Sequence, residues 1–177
     1  MGYMLDLQMK YIIRNSIIID NSNCGLHIEY SDGSIYEYNI FRNNSWWDFY
    51  MEFSLFCEIR YNAFLYTRTG VRTETCSNNE FYSNEFRGHN HYGIHLVRDC
   101  YLQPRNKIHH NNFFDNCVDA RFQDCKNVWY HNYWNCSHIV HVIWGGRYLI
   151  LSSKASIFLP MWEFDLFPVD EHYDIVV

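Results

Sequence analysis

Proline is scarce in this chain, with 3 among 177 residues, and glycine numbers only 8. Charge is also sparse at 19%, while apolar residues make up 48%, so the low hydrophobicity and high net charge of a disordered chain are absent. Basic residues are outnumbered, 14 Lys and Arg against 20 Asp and Glu, for a net charge of −6. No basic stripe is present to neutralise phosphates, which argues against a nucleic-acid partner or an anionic membrane surface. No apolar run approaches the roughly 18 residues needed to span a bilayer. Met1 to Lys10 lacks the charged start, apolar middle and small-residue end of a secretory signal. The 7 cysteines are odd in number and contain no CxxC pair of zinc-finger spacing, so buried thiols are expected in preference to a disulfide framework.

Aromatic residues and asparagine are abundant, with 15 Tyr, 13 Phe and 6 Trp, a mix that suits strands joined by many tight turns. The pattern N-x-h-x-x-N-x-h, with h apolar, recurs along the chain. Its clearest copies start at Asn79, Asn106 and Asn127, and weaker ones centre on Asn15, Asn39 and Asn62. Aligned, the sixth position reads Asn15, Asn39, Asn62, Asn84, Asn111 and Asn132, at intervals of 24, 23, 22, 27 and 21 residues. The third reads Ile12, Tyr36, Ile59, Phe81, Ile108 and Trp129, and the eighth Ile17, Phe41, Phe64, Phe86, Phe113 and Trp134. Such an interval is too long for a hairpin and right for one turn of a β-solenoid, in which stacked Asn side chains hydrogen-bond from coil to coil. After each Asn comes a Gly or Asp and then h-x-h: Gly25 to Ile28, Asp48 to Met51, Gly70 to Thr73, Gly93 to Leu96 and Asp119 to Phe122. The alternation predicts a strand with one face buried, and the Gly or Asp is expected at a turn with positive φ. Ser31, Ser54, Cys76, Cys100 and Cys125 follow as a small inward column, with a bulge expected at Cys100 because it sits one place late. The Leu columns of a leucine-rich repeat are missing.

These phrases, notably "NEFYSNEF", "YGIHL", "NKIHHNNFFDN" and "NVWYHNYWN", resemble the right-handed parallel β-helix repeat family. That family includes the copper-binding NosD-like proteins and the carbohydrate-binding and sugar-hydrolase β-helix domains. The resemblance covers residues 2 to 136, and the segment from Pro160 to Ile175 looks like the closing piece of many NosD-like chains. It implies an all-β fold, a single-stranded solenoid of about six coils, and a place outside the cytoplasm: extracellular, cell-surface or periplasmic. The expected organisation is coils over 1–137, then final strands and a cap over 138–177. Within the latter, His138 to Trp144 forms a last strand, Gly145-Gly146 turns the chain, and Tyr148 to Leu151 forms another. Gly2 to Leu5 matches the element after the Asn, so the chain is expected to begin halfway through a coil. Its bare first edge is then open to self-association.

The middle residue of each h-x-h strand points outward, giving a column of Met4, His27, Tyr50, Arg72, His95 and Arg121. Beside it run Glu29, Glu52, Glu74, Val97 and Gln123. Polysaccharide is the expected ligand, held by stacking and hydrogen bonds to His27, Tyr50, Arg72, His95 and Arg121. The rival reading is a lyase, hydrolase or epimerase acting on an acidic glycan, with Arg72, His95, Arg121, Glu52 and Glu74 as its catalytic candidates. There Arg would neutralise a uronate carboxylate, His or Tyr would move the proton, or the two Glu would form a hydrolytic pair. The plain alternative is that these side chains solvate the outside of a solenoid. No cofactor is expected. His89, His91 and His95, and His109, His110 and His131, are the local imidazole groups that suit copper. No spacing forces them into a ligand set, and His109 and His110 point to opposite faces if extended, so no metal is expected. A copper-handling accessory protein stays as a further alternative through the resemblance alone.

Overall fold

The computed structural model describes residues 10–98, 105–135, 140–152 and 155–177. It is all β, a parallel β-helix of about five turns. Each turn holds two short strands and one long one. In the second coil these are Ile35–Glu37, Ile40–Arg42 and Trp47–Glu52. Equivalent strands of successive coils pair in parallel, so residues about two dozen apart lie directly over one another. Phe41, Phe64, Phe86, Phe113 and Trp134 form one continuous inner stack with ring centroids 5.1, 5.2, 4.8 and 4.3 Å apart. That is close to the strand spacing itself, and each fully buried ring contributes roughly 1.5–3 kcal/mol.

The predicted Asn ladder is present and fully buried, running through Asn39, Asn62, Asn84, Asn111 and Asn132. Each amide Nδ2 donates at 3.0 Å to the Oδ1 of the next Asn, from Asn39 through Asn111. It donates as well to a main-chain carbonyl of the preceding coil, such as Ile59 O at 2.7 Å from Asn84. Oδ1 also takes a backbone N–H, as from Asn62 N to Asn84 at 3.0 Å. Every polar atom of the corner is therefore satisfied without water. A second ladder, Asn79 to Asn106 to Asn127, uses the first Asn of the same motif.

The first coil differs from the sequence reading by one residue. Ile13 pairs with Tyr36 and Ile18 with Phe41, whereas Ile12 and Ile17 are 60% and 70% exposed. Ser16, not Asn15, is the residue whose N–H meets Asn39 Oδ1, at 3.1 Å. Asn15 instead belongs to the column of Tyr38, Tyr61, Ser83, His110 and His131, which turns the corner at φ of 52–55°. The glycines of the G-h-x-h element are likewise not at positive φ. They lie within long strands, where a Cβ on Gly25 would sit 2.5 Å from Asp48 O and one on Gly93 2.5 Å from Asp119 O. Close backbone approach, not turn geometry, demands them. The small column holds: Ser31 N donates to Ser54 Oγ at 3.0 Å, and the Cys76 and Cys125 thiols reach carbonyls of the preceding coil at 3.4 and 3.3 Å. Met4, the Gly2 to Leu5 element, Cys100 with its bulge, and His138 lie outside the described residues.

Gly145-Gly146 does not turn the chain. His141–Ser152 is one strand passing straight through it, paired antiparallel with Ala155–Asp165. The glycines are needed for contact, since Cβ atoms there would strike Phe122 O and the Phe158 ring. The first strand of this hairpin continues the long-strand sheet beyond Val118–Gln123, and the second pairs with Asn127–Tyr130. The hairpin thus joins two faces of the solenoid and ends both ladders with carboxylates. Asp165 Oδ2 accepts from Asn132 N, Asn132 Nδ2 and Trp134 Nε1 at 3.0, 2.9 and 3.2 Å. Glu163 accepts from Asn127 N and Trp129 Nε1, both at 2.6 Å.

Candidate functional site

The long strands place His27, Tyr50, Arg72, His95 and Arg121 in one register column, with Glu29, Glu52, Glu74, Val97 and Gln123 beside it. At its N-terminal end the His27 ring stacks on Tyr50 at 4.7 Å, and its Nε2 lies 2.9 Å from Glu52 and 3.5 Å from Glu29. Tyr50 Oη donates to Glu74 at 3.3 Å, and Glu74 also holds Arg72 and Arg98 at 3.3 and 3.1 Å. Glu52 and Glu74 are thus neighbours in register, each already engaged by partners.

Further along, the column is no longer a plain solvated face. His95 is only 8% exposed although it points outward. Tyr92 lies against it at 4.7 Å, and His91 packs on Tyr92 at 3.8 Å. Trp46, Trp47, Arg68, Thr69, Arg72 and these three residues enclose a cleft of about 190 Å³. Arg68 lies over the Trp46 ring at 4.4 Å, Arg72 over Trp47 at 5.9 Å, and Arg121, one coil on, over Tyr92 at 5.9 Å. Arg72 has Glu74, but among the described residues no carboxylate lies within ion-pair distance of Arg68 or Arg121. Positive charge therefore gathers on a protein of negative net charge.

The His95 tautomer follows from its neighbour. Arg72 Nη1 is 3.3 Å from His95 Nδ1, and a guanidinium only donates, so Nδ1 is the acceptor and the ring proton sits on Nε2. That Nε2–H is buried and has no hydrogen-bond partner among the described residues. Burial, then the charges of Arg72 and Arg121, push the His95 pKa down to about 3, so the ring stays neutral. His91 is lowered too, by burial and by Arg68 and Arg121.

Neither histidine trio of the sequence converges as a whole. His89 is turned into a corner, its Nε2–H donating to Phe64 O at 3.1 Å, so it stands apart from His91 and His95 as part of the scaffold. His109 and His110 do not face opposite ways: His110 has φ of 55°, which breaks the alternation and brings the two Nδ1 atoms to 2.8 Å. His109 is held between the rings of Tyr82 and Tyr130 at 5.3 and 4.6 Å, with Nε2 on Glu80 at 2.9 Å. The His131 ring centroid lies 5.4 Å from that of His110.

A family model described as "Periplasmic copper-binding protein (NosD)" matches residues 1–150. The chain belongs to the NosD family. No curated protein and no solved structure matches it. The copper in the family's description can be set against the donors present. His27, Glu29 and Glu52 bring one imidazole and two carboxylates within 4.8 Å, a largely hard and exposed set. The His109–His110 pair, now joined by a hydrogen bond between the two Nδ1 atoms at 2.8 Å, would offer two imidazole nitrogens, the donor type that suits copper.

The outward column was visible as period-two alternation. Arg68, Trp46, Trp47 and Tyr92 were missed, and His91 was named only as part of a histidine group, because they lie in or next to the corner before the strand, where alternation carries no signal. Their only trace was register: Trp47, Thr69, Tyr92 and Val118 stack just as the h-x-h residues do.

Proposed function

We propose that this NosD-family β-helix is a module of an extracytoplasmic protein that binds an extended polysaccharide along its long-strand face. The observation that carries this reading is the cleft beside His95, where the exposed Trp46 indole and the half-buried Trp47 and Tyr92 rings stand next to Arg68, which has no carboxylate partner among the described residues. Rings supply stacking surface for pyranose faces and arginines supply donors for hydroxyl and acidic groups. The stacked His27 and Tyr50 extend the same face by two coils. The family's periplasmic description supports the location, and among the described residues no helix is long and apolar enough to cross a membrane. Lyase, hydrolase or epimerase chemistry has less support, because His95 is held neutral and weakly basic and both Glu52 and Glu74 are engaged. The test is calorimetric titration with neutral and acidic oligosaccharides. Binding that weakens in the double variant H27A/Y50A supports the face, and binding unchanged by that variant and by R72A rejects it.

A second reading is favoured by the 2.8 Å separation of the His109 and His110 Nδ1 atoms. Copper as cargo would be seated there, with Glu80 fixing the His109 ring by a hydrogen bond to the far nitrogen, as outer partners of metal-binding histidines do. Titration with copper(II) followed by electron paramagnetic resonance tests it. Nitrogen coupling lost in H109A/H110A supports the seat, and a spectrum unchanged by that pair removes it.

A further inference from the structure

We propose that the cleft between Trp46, Trp47 and Tyr92 is a seat for the carboxylate of an acidic saccharide, with His95 Nε2–H as its buried donor and Arg68 and Arg121 as its counter-charges. The inference rests on the polysaccharide reading and narrows it to a uronate-bearing glycan.

His95 Nε2–H is a buried donor whose hydrogen bond is unmet among the described residues. A buried donor without an acceptor costs about 1–3 kcal/mol, and native structures keep few of them. Nδ1 of His95 is committed to Arg72, so rotating the proton to the other nitrogen offers no relief. The missing partner must accept and not donate. Arg72 and Arg121 bear on His95, and Arg68 and Arg121 on the neighbouring His91. The carboxylate of Glu74 balances Arg72 and is shared with Arg98. An acceptor carrying negative charge meets both needs. A carboxylate fits the planar donor fork of Arg68 and accepts from an imidazole N–H.

Size and walls choose the rest of the ligand. At about 190 Å³ the cleft is smaller than the roughly 300–1,000 Å³ of a site that engulfs a small molecule, so it takes one group or ring of something larger. Its walls are aromatic, and Arg68 is held in place by its contact with Trp46. The adjoining column continues across open coils on the His27 side, which leaves room for the chain to run on. A free inorganic anion would use the charges but not the rings.

Calorimetry with the whole chain separates the possibilities, using an oligogalacturonate, a neutral galacto-oligosaccharide of equal length, and sodium sulfate. The expected result is that the oligogalacturonate binds at least tenfold more tightly than either other probe, and that R68A and R121A each remove most of that advantage. H95Q should keep part of it, since the amide can still donate, and H95L should lose it. Thermal melts of the four variants check folding, and because Arg68 and Arg121 lie outside the core, those two keep the test valid if the His95 variants unfold. Equal binding of acidic and neutral oligosaccharides, with R68A silent, overturns the carboxylate seat and leaves the polysaccharide reading standing. Sulfate binding as tightly as oligogalacturonate overturns the saccharide source. Binding of neither oligosaccharide removes both readings.

Discussion

Two sets of polar side chains are stacked by the same coil register, and they are in opposite states. The inner ladder of Asn39 through Asn132 meets every donor and acceptor it has and ends on Asp165. The outer column is also buried at His95 but leaves that donor unmatched, and neither Arg121 in the column nor Arg68 beside it has a carboxylate partner among the described residues. The difference separates what holds the solenoid from what it presents to a partner. A buried polar group that is satisfied supports the fold. Of the unmatched ones, Asp48 Oδ2 and Thr73 Oγ1 belong to the scaffold, whereas His95 borders the cleft.

The largest effect is expected from breaking the ladder in its middle. Asn84→Leu removes the partners of Asn62 N, Asn62 Nδ2 and Ile59 O at one stroke. With unsatisfied groups costing about 1–3 kcal/mol each, a loss of about 3–5 kcal/mol is expected in denaturant unfolding. A loss under about 1 kcal/mol would mean that water replaces the amide and that the ladder is not structural.

Next comes the corner where the ladder principle is bent to hold ionisable groups. Asp48, bonded to Asn44 and Thr67 at 2.8 and 2.5 Å, is pushed up to about 7 by burial. His89, which receives Thr67 N–H, is pushed down to about 4 by burial. The signs oppose. The folded state binds more protons than the unfolded at Asp48 between its unfolded value and about 7, so stability there rises as pH falls. It binds fewer at His89 between about 4 and 6.5, so stability there drops as pH falls. Asp48→Asn removes the compensating slope. Its stability should fall by about 3 kcal/mol more steeply than wild type between pH 6.5 and 4 in chemical denaturation. Parallel pH profiles would contradict the assignment.

Smaller effects test the ends and the outside. Asp165→Asn keeps an acceptor but drops its charge beneath three N–H groups, for an expected loss of about 1–2 kcal/mol in thermal or denaturant melts. Arg68→Ala should change stability by less than about 0.5 kcal/mol, since it sits outside the core. The same substitution should weaken oligogalacturonate binding at least tenfold. A variant that destabilised the protein without touching affinity would place Arg68 with the scaffold.

Much of the scaffold was legible because solenoid register repeats side-chain chemistry. Asn84, Asn111 and Asn132 announce a corner, and Phe64, Phe86 and Phe113 announce a core. Legibility failed where chemistry does not repeat. The first ladder position is Ser16, so matching on Asn shifted the two short strands of the first coil by one place. The positive-φ column holds Tyr, Ser, His and Asn but no glycine, and nothing in those residue types signals a corner. Gly145-Gly146 resembles a turn yet serves close packing on Phe122 and Phe158. At the site, Arg72, His95 and Arg121 were visible as outward residues of strands. That His95 is covered by Tyr92 depends on how adjacent corners meet, which strand alternation does not encode.

The most direct test is the protonation of His95 itself, read by nitrogen-15 NMR of the imidazole at neutral pH. A neutral ring protonated at Nε2, whose Nε2–H resonance moves downfield when oligogalacturonate is added, is the predicted result. A ring protonated at Nδ1, or one whose signals ignore the oligogalacturonate at saturating concentration, would contradict the claim that an unmatched buried donor marks the binding site.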